Sequence, residues 1–177
     1  MNQLLALLAL ALTTPAFAQT HTHPADSKSP YSDMTERDIK ALSDEQISDL
    51  RAGRGMSLAL PAELNGYPGP RHALDLADAL ELTPAQRAHV QALFGEMQRE
   101  AADLGSRIIE GERALDRSFS TRTVTEEKLN AALAQIATQQ GKLRAAHLKY
   151  HLRTRDLLTE TQVTRYNALR GYKAAQP

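Results

Sequence analysis

Residues 143–162 read LRAAHLKYHLRTRDLLTETQ, and this stretch carries two signals that organise the rest of the chain. The first signal is a histidine pair four residues apart, His147 and His151. Side chains at i and i+4 lie one above the other on one helix face, so both imidazoles could hold one metal ion. The second signal is Leu158-Thr159-Glu160-Thr161-Gln162, a capping box in which Thr159 and Gln162 satisfy each other's backbone N–H groups. The stretch therefore predicts a long helix that ends near Leu157 and a new helix that begins after Thr159.

The same Leu-Thr-x-x-Gln pattern occurs earlier in the chain, at Leu82, Thr83 and Gln86. Thr83 is the predicted N-cap of a first long helix, with Pro84 at the first helical position, where a missing N–H costs nothing. Apolar residues then recur at intervals of three or four, with one interval of seven across Gly111. They are Val90, Phe94, Met97, Ala101, Leu104, Ile108 and Leu115. This heptad spacing predicts a long helix that packs along one seam and ends near residues 118–120.

A second long helix is predicted to begin at another capping box, Thr123-Val124-Thr125-Glu126. Its seam has intervals of three or four throughout. It contains Leu129, Leu133, Ile136, Gln140, Leu143, His147, Tyr150, Thr154 and Leu157. Only a few residues join the two long helices, so they must pack as an antiparallel hairpin, with His147 in the contact face. A last helix is predicted from Glu160 to about Arg170, ending at Gly171. No strand alternation occurs, and the predicted fold class is all-α, a long antiparallel helical hairpin with short flanking helices.

Residues 33–70 are predicted to form short helices and a Gly/Pro-rich loop in front of a hairpin domain at 71–172. Leu42-Ser43-Asp44-Glu45-Gln46 is a third capping box, and Gly53 is the predicted end of its helix. Residues 53–70 are predicted to be loop, and one or two helical turns follow between His72 and Leu80. A hairpin of this length cannot cover its own apolar seams. We therefore predict that the short helices fold back and that the chain forms a homodimer.

The chain termini are predicted to lie outside the folded domain. Residues 1–18 resemble a cleavable secretory signal, with an apolar run at 4–12 and an A-x-A site that ends at Ala18. This predicts a periplasmic protein. Residues 19–32 are a predicted tail, in which His21 and His23 could bind a metal weakly, and residues 173–177 are a second tail.

The composition limits the chemistry that the protein can perform. The 177 residues carry 21 basic and 21 acidic side chains, so no net charge attracts nucleic acid. The sequence has no cysteine, so any metal must be held by His, carboxylate, Met or backbone oxygen. No peptidase motif, P-loop or nucleophile elbow is present, and we predict that the protein is not an enzyme.

The predicted metal site centres on His147 and His151, because neutral imidazole is the commonest metal ligand. Two ligands do not complete a site, and Glu63 and His72 are the best-typed further donors, with Met56 as another candidate. The metal is a divalent transition ion: zinc, nickel, cobalt or copper. The alternatives are a hydrogen-bonded His147 at the core edge, an exposed His151, a packed Met, a solvated Glu and a surface His. Because bound imidazole must be neutral, affinity should fall below about pH 6.5.

A second candidate function rests on the basic face of the second long helix. This face carries Lys142, Arg144, Lys149, Arg153 and Arg155, interleaved with Leu148 and Leu152. A cationic amphipathic face of this kind could hold unfolded client proteins through apolar contact and charge. The alternative is a solvated helix surface, which is what most charge runs are.

The paired Leu-Thr-x-x-Gln motifs around a long hairpin, in a cysteine-free chain with an export signal, resemble the Spy/CpxP superfamily of periplasmic proteins. The His-Leu-x-x-His-Leu stretch before the second motif is similar to the heavy-metal sensor and resistance branch, the CnrX- and ZraP-like proteins. The resemblance covers about residues 33–172. It implies an all-α, hook-shaped helical hairpin that dimerises. For the metal branch, it implies binding of nickel, cobalt, zinc or copper with signalling to a membrane partner. For the Spy-like branch, it implies ATP-independent chaperoning.

The sensor's ligand pattern matches this chain in part. His147 and His151 stand at the spacing of a His-x-x-x-Met pair near the second motif, with His in place of Met. The sensor also uses an upstream His-x-x-x-His pair and a Glu. This chain lacks that upstream pair and offers His21-Thr22-His23, Glu63 and His72.

Overall fold

A computed structural model describes residues 28–172, and within that range every regular element is a helix. Two compact units are distinguished, Met1–Asp33 and Met34–Pro177. The first contributes only residues 28–33 to the described range, and everything that follows concerns the second. The predicted signal segment, His21 and His23, and residues 173–177 lie outside the described residues.

The second unit contains six α-helices. They are α1 (Asp44–Ala52), α2 (Leu60–Glu63), α3 (Pro70–Asp75), α4 (Pro84–Ser120), α5 (Glu126–Leu157) and α6 (Glu160–Leu169). A short 3₁₀ turn at Ser32–Met34 precedes them. The all-α prediction is confirmed. Among residues 28–172, no helix combines the length and the apolar character that crossing a bilayer requires.

Helices α4 and α5 form the predicted antiparallel hairpin. Partners across the hairpin run in opposite directions along the chain, since Gln86 contacts Leu157 and Glu100 contacts Lys149. At 37 and 32 residues, the two helices are about 55 Å and 48 Å long at 1.5 Å per residue. Gly111 leaves room for Ile136, because a Cβ at residue 111 would lie 2.9 Å from Cγ1 of Ile136. Gly111, which interrupts the apolar seam of α4, thus leaves a recess for Ile136 of α5.

The capping predictions hold for three helices and fail for one. Complete capping boxes begin α1, α4 and α6, at Ser43, Thr83 and Thr159. The prediction that Thr123 caps the second long helix was wrong, because Thr125 is the N-cap and accepts the Lys128 N–H at 3.3 Å. The Thr123 hydroxyl is instead paired with Thr121 at 3.0 Å.

The two Leu-Thr-x-x-Gln motifs bind each other. Each glutamine amide completes its own capping box and also reaches the other motif. Gln86 Nε2 donates to Gln162 Oε1 at 2.9 Å, and Gln162 Nε2 lies 3.1 Å from Gln86 Oε1. Leu82 and Leu158 are buried in one cluster beside these amides. The pair of motifs therefore fastens the base of the hairpin to α6.

The segment before the hairpin packs on α4 at very short range. A Cβ at Gly105 would lie 2.1 Å from the Leu50 carbonyl oxygen, so only glycine lets α1 approach α4 this closely. Gly53 ends α1 in the left-handed conformation, as predicted, with φ of 62°. The prediction that 53–70 is entirely loop was wrong, because α2 forms one helical turn within it and α3 begins at Pro70. This packing holds residues 54–63 against the base of the hairpin.

The predicted α5 seam holds only toward the C-terminal end of the helix. Leu143, His147, Tyr150 and Thr154 are buried, as is Ile136. Leu133 is 47% exposed and Gln140 is exposed in the single chain, although the seam placed both in the contact face. Among the described residues, α1 packs on the middle of α4, around Gly105 and Ile108, and Leu133 is left exposed.

Candidate metal centre

A cavity of about 550 Å³ opens at the base of the hairpin, between α4, α5 and the loops that connect α1, α2 and α3. All four predicted ligands line it: His147 and His151 from α5, Glu63 from the end of α2, and His72 from α3. Residues 75 or more positions apart in sequence thus meet at one place. The cavity has the size of a small-ligand site.

His151 is buried and has a fixed ring orientation. It is 7% exposed, and its Nδ1 lies 2.7 Å from the Tyr67 carbonyl oxygen. A carbonyl can only accept, so Nδ1 carries the proton and the neutral ring keeps its lone pair on Nε2. Gly69 makes room for that edge, since a Cβ there would lie 3.0 Å from Nε2 and 2.9 Å from Cε1. The expectation of an exposed His151 is therefore wrong.

His147 is more deeply buried than His151 and has one unsatisfied ring nitrogen. The residue is 2% exposed, and its Nε2 has no hydrogen-bond partner. Burial lowers the pKa of His147, the neighbouring His151 lowers it further, and a backbone hydrogen bond with Arg54 acts in the opposite direction. The ring is thus held neutral, with a free Nε2 inside the protein. An unpaired buried polar atom costs about 1–3 kcal/mol, so it needs an explanation.

One oxygen of the Glu63 carboxylate is surrounded by donors. Glu63 is 5% exposed. The contacts of Oε1 are the Tyr166 hydroxyl at 2.5 Å, the Tyr172 hydroxyl at 3.0 Å, His72 Nδ1 at 3.2 Å and Arg170 Nε at 3.6 Å. A solvated Glu63 does not fit these contacts, whereas His72 is a surface histidine, with 42% of its side chain exposed, that pairs with Glu63. They tie α2 to α3, to α6 and to Tyr172.

The other oxygen of Glu63 has fewer partners. Oε2 accepts the Gly69 N–H at 3.1 Å and lies 3.7 Å from His151 Nδ1. Burial by itself would raise the pKa of Glu63, but hydrogen bonds from His72 and Tyr166, the charge of His72 and the Tyr172 hydrogen bond outweigh it and lower the pKa to about 2. Burial and Glu63 together raise the pKa of Tyr166. Glu63 is therefore an anion that hydrogen-bond donors of the same chain stabilise.

The four predicted ligands share a cavity but do not converge on one point. Within residues 28–172, no three His, Cys, Asp or Glu side chains are close enough together to hold a metal ion. His72 Nδ1 is engaged with Glu63 Oε1. Among the described residues, a buried ring nitrogen without a hydrogen-bond partner is His147 Nε2, on α5.

Several residues of this site carried no signal in the sequence. Tyr166, Tyr172 and Arg170 show no spacing that points to Glu63, and the Tyr67 carbonyl is a backbone atom. Met97 was assigned to the seam of the first long helix, where it is buried, but it also lines the cavity together with Met56.

The basic face of α5 is largely neutralised by α4 and α6. Lys149 binds both oxygens of Glu100 at 2.8 and 2.9 Å, and Arg153 lies 3.7 Å from Glu96. Arg155 pairs with Glu160. Three of the five cations that suggested client binding are thus committed to carboxylates of the same chain.

The fold and the cavity define an all-α hairpin protein with a buried, imidazole-lined cavity at its base. A family model described as heavy-metal resistance matches residues 55–165. The match includes α2, α3, both long helices and the start of α6. The chain belongs to this heavy-metal resistance family. Neither a curated protein nor a solved structure matched it.

Proposed function

We propose that the protein binds a transition-metal ion through the Nε2 atoms of His147 and His151 and acts in heavy-metal sensing or resistance. One observation carries the proposal: two buried imidazoles on consecutive turns of α5 line one cavity, and the Nε2 of His147 has no partner. Membership of a heavy-metal resistance family supports it.

The surroundings of the two rings fit metal ligands. A ligating histidine almost always donates its other ring N–H to a carbonyl or carboxylate, which fixes the tautomer and orients the lone pair. His151 does this through Tyr67. His147 has a backbone hydrogen bond with Arg54. An ion bound to Nε2 would also remove the cost of the unsatisfied nitrogen.

Glu63 and His72 have unequal roles in the proposal. Glu63 supplies a negative charge 3.7 Å from His151 Nδ1, and its Oε2 keeps capacity for a further bond because only the Gly69 N–H donates to it closely. His72 holds Oε1 of that carboxylate. We therefore assign His72 mainly to orienting Glu63. The predicted zinc, nickel, cobalt and copper ions are the candidates to test.

The setting of the protein follows from the sequence and belongs to the proposal. The apolar run at 4–12 and the A-x-A site support export to the periplasm, and the paired Leu-Thr-x-x-Gln motifs support the Spy/CpxP superfamily. Exposed apolar side chains near the turn of the hairpin, Phe119 and Leu133, support a homodimer. In that setting, the bound state would be passed to a membrane-bound signalling protein. A chaperone role is not part of the proposal, because three of the five cations on the basic face pair with carboxylates of the same chain.

Calorimetric titration of the metal-free protein with zinc, nickel, cobalt and copper tests the proposal. We expect one ion per chain in the wild type. Removing a residue that merely orients a ligand weakens metal binding about 10–100-fold, so the His147→Ala/His151→Ala variant should lose on the order of 100-fold or more. His89→Ala is the matched control, because His89 is an exposed histidine on α4 outside the cavity.

A second variant keeps both histidines. Gly69→Ala adds a Cβ about 3 Å from the Nε2 edge of His151 in a backbone conformation that alanine accepts. We expect metal affinity to fall while the far-UV circular dichroism stays the same. Wild-type affinity in both the double-alanine variant and Gly69→Ala would overturn the proposed site.

A further inference from the structure

The donors that line the cavity include two imidazoles on α5 and two thioethers. His147 Nε2 has no partner and His151 is engaged at Nδ1 only, whereas Glu63 Oε1 is surrounded by donors. The cavity is also lined by Met56, in the loop after α1, and by Met97 on α4. Met97 is buried.

The loop that carries Met56 has an unusual backbone. Met56 and Ser57 are consecutive non-glycine residues with positive φ, 41° and 62°. Each such residue costs about 1–2 kcal/mol, because Cβ crowds the following carbonyl in this conformation. The loop closes through a hydrogen bond from the Leu58 N–H to the Gly55 carbonyl at 2.8 Å. Strain of this kind persists where the surroundings impose it, and it clusters at ligand-binding sites.

We infer that the metal centre is a His₂Met₂ site for a soft monovalent cation, Cu⁺ or Ag⁺, completed by the thioethers of Met56 and Met97. The inference rests on the proposed function, since it assigns the remaining ligands and the class of metal to that same site. Thioether sulfur is a soft ligand that selects Cu⁺, while Zn²⁺ in a structural site is bound by His, Cys or carboxylate.

The charges around the cavity fit a monovalent ion. All four assigned donors are neutral, and the one buried carboxylate beside them is Glu63, whose Oε2 lies 3.7 Å from His151 Nδ1. The cost of burying an ion grows with the square of its charge, so one carboxylate balances a singly charged ion better than a doubly charged one. The lack of a third converging His or carboxylate within residues 28–172 agrees with sulfur donors in the remaining positions.

Titration of the full chain with Ag⁺, followed by NMR of ¹³C-methyl-labelled methionine, tests this inference. Ag⁺ has the same charge and softness as Cu⁺ and does not change oxidation state during the experiment. The methyl signals of Met56 and Met97 should shift with one equivalent of Ag⁺. Met34 is the internal control, because it lies outside the cavity lining. Zn²⁺ should leave the methionine methyl signals where they are.

Affinity measurements on leucine variants give the second readout. Leucine keeps nearly the volume of methionine, so Met56→Leu/Met97→Leu should fold, and Met34→Leu is the matched control. We expect the double variant to bind Ag⁺ about 100-fold more weakly while its Zn²⁺ affinity changes less than about threefold. Met56→Leu alone gives the same test in a loop where packing changes least.

The outcomes separate the inference from the function on which it rests. If His147→Ala/His151→Ala abolishes binding but the leucine variants bind Ag⁺ like the wild type, the thioether assignment fails and the proposed function stands. If the double-alanine variant binds both ions unchanged, the proposed function fails as well. Unshifted Met56 and Met97 signals at saturating Ag⁺ would overturn the inference by themselves.

Discussion

The buried polar atoms on the two sides of the cavity differ in how many hydrogen-bond partners they have. On the α6 side, the Glu63 carboxylate receives hydrogen bonds from two tyrosines, a histidine and a backbone N–H. On the α5 side, His147 is just as deeply buried and leaves a ring nitrogen without a partner. Both groups could be metal ligands by residue type alone.

The difference separates a structural group from a functional one. A buried carboxylate with several hydrogen-bond donors joins three chain segments and contributes to stability, because removing the carboxylate leaves those donors unpaired. An unpaired buried nitrogen lowers stability, and a protein retains it where a ligand completes the bond. Variants on the α6 side should therefore change unfolding, and variants on the α5 side should change metal binding.

Removing the Glu63 carboxylate should produce the largest effect on stability. Glu63→Ala leaves the Tyr166, Tyr172 and Gly69 donors unpaired, and we expect a loss of about 3–5 kcal/mol in the free energy of unfolding of the metal-free protein. Urea unfolding followed by circular dichroism measures it. Glu96→Ala is the control, since Glu96 forms only an exposed ion pair with Arg153 and should cost less than about 1 kcal/mol. Equal losses in both variants would contradict the contrast between the two sides.

Acidification should lower the free energy of unfolding of the metal-free protein in two separate pH ranges, one for each side of the cavity. The folded-state pKa of Glu63 is about 2, below its ordinary 4.5, so its contribution is present above pH 4.5 and is lost as the pH falls toward 2. The loss is at most about 3 kcal/mol. Burial lowers the pKa of His147, so the unfolded chain takes up a proton first and stability also falls below about pH 6.5.

Urea unfolding of the metal-free protein between pH 7 and pH 3 measures both ranges. In Glu63→Gln, the free energy of unfolding should depend less on pH in the lower range and should keep its pH dependence in the upper range. In His147→Leu, the free energy of unfolding should depend less on pH in the upper range and should keep its pH dependence in the lower range. Identical pH profiles for the wild type and both variants would show that neither group is linked to folding.

Replacing His147 with an apolar residue should produce the smallest change in stability, and a favourable one. His147→Leu removes the unpaired nitrogen and should raise the free energy of unfolding by about 1 kcal/mol while abolishing metal binding. Thermal unfolding of the metal-free variant measures the first effect, and calorimetry measures the second. His89→Leu on the exposed face of α4 should change neither. A clear destabilisation by His147→Leu would show that the ring is a packing element.

The elements of the fold could be read from the sequence because their signals are local. Capping boxes and seams with intervals of three or four involve residues within a few turns of each other, so they predicted α1, α4, α5 and α6. The exception was the start of α5, where Thr125 is the N-cap in place of the predicted Thr123, and the Thr123 hydroxyl pairs with Thr121.

The candidate site was predictable only in the part that lies on one helix. His147 and His151 are four residues apart, and their placement on one buried face follows from helix geometry. Met97 was expected as a core residue, which it is, and nothing in its spacing placed it beside a cavity.

By itself, the sequence determined a helical hairpin with two imidazoles on one face of its second helix, because helical periodicity depends only on neighbouring residues. Tertiary structure alone decided which groups surround those imidazoles and which ring atoms have hydrogen-bond partners. It brought Glu63 within 3.7 Å of His151, paired that carboxylate with Tyr166 and Tyr172, and left the Nε2 of His147 unpaired. Those contacts join residues up to 109 positions apart, and no local pattern specifies them.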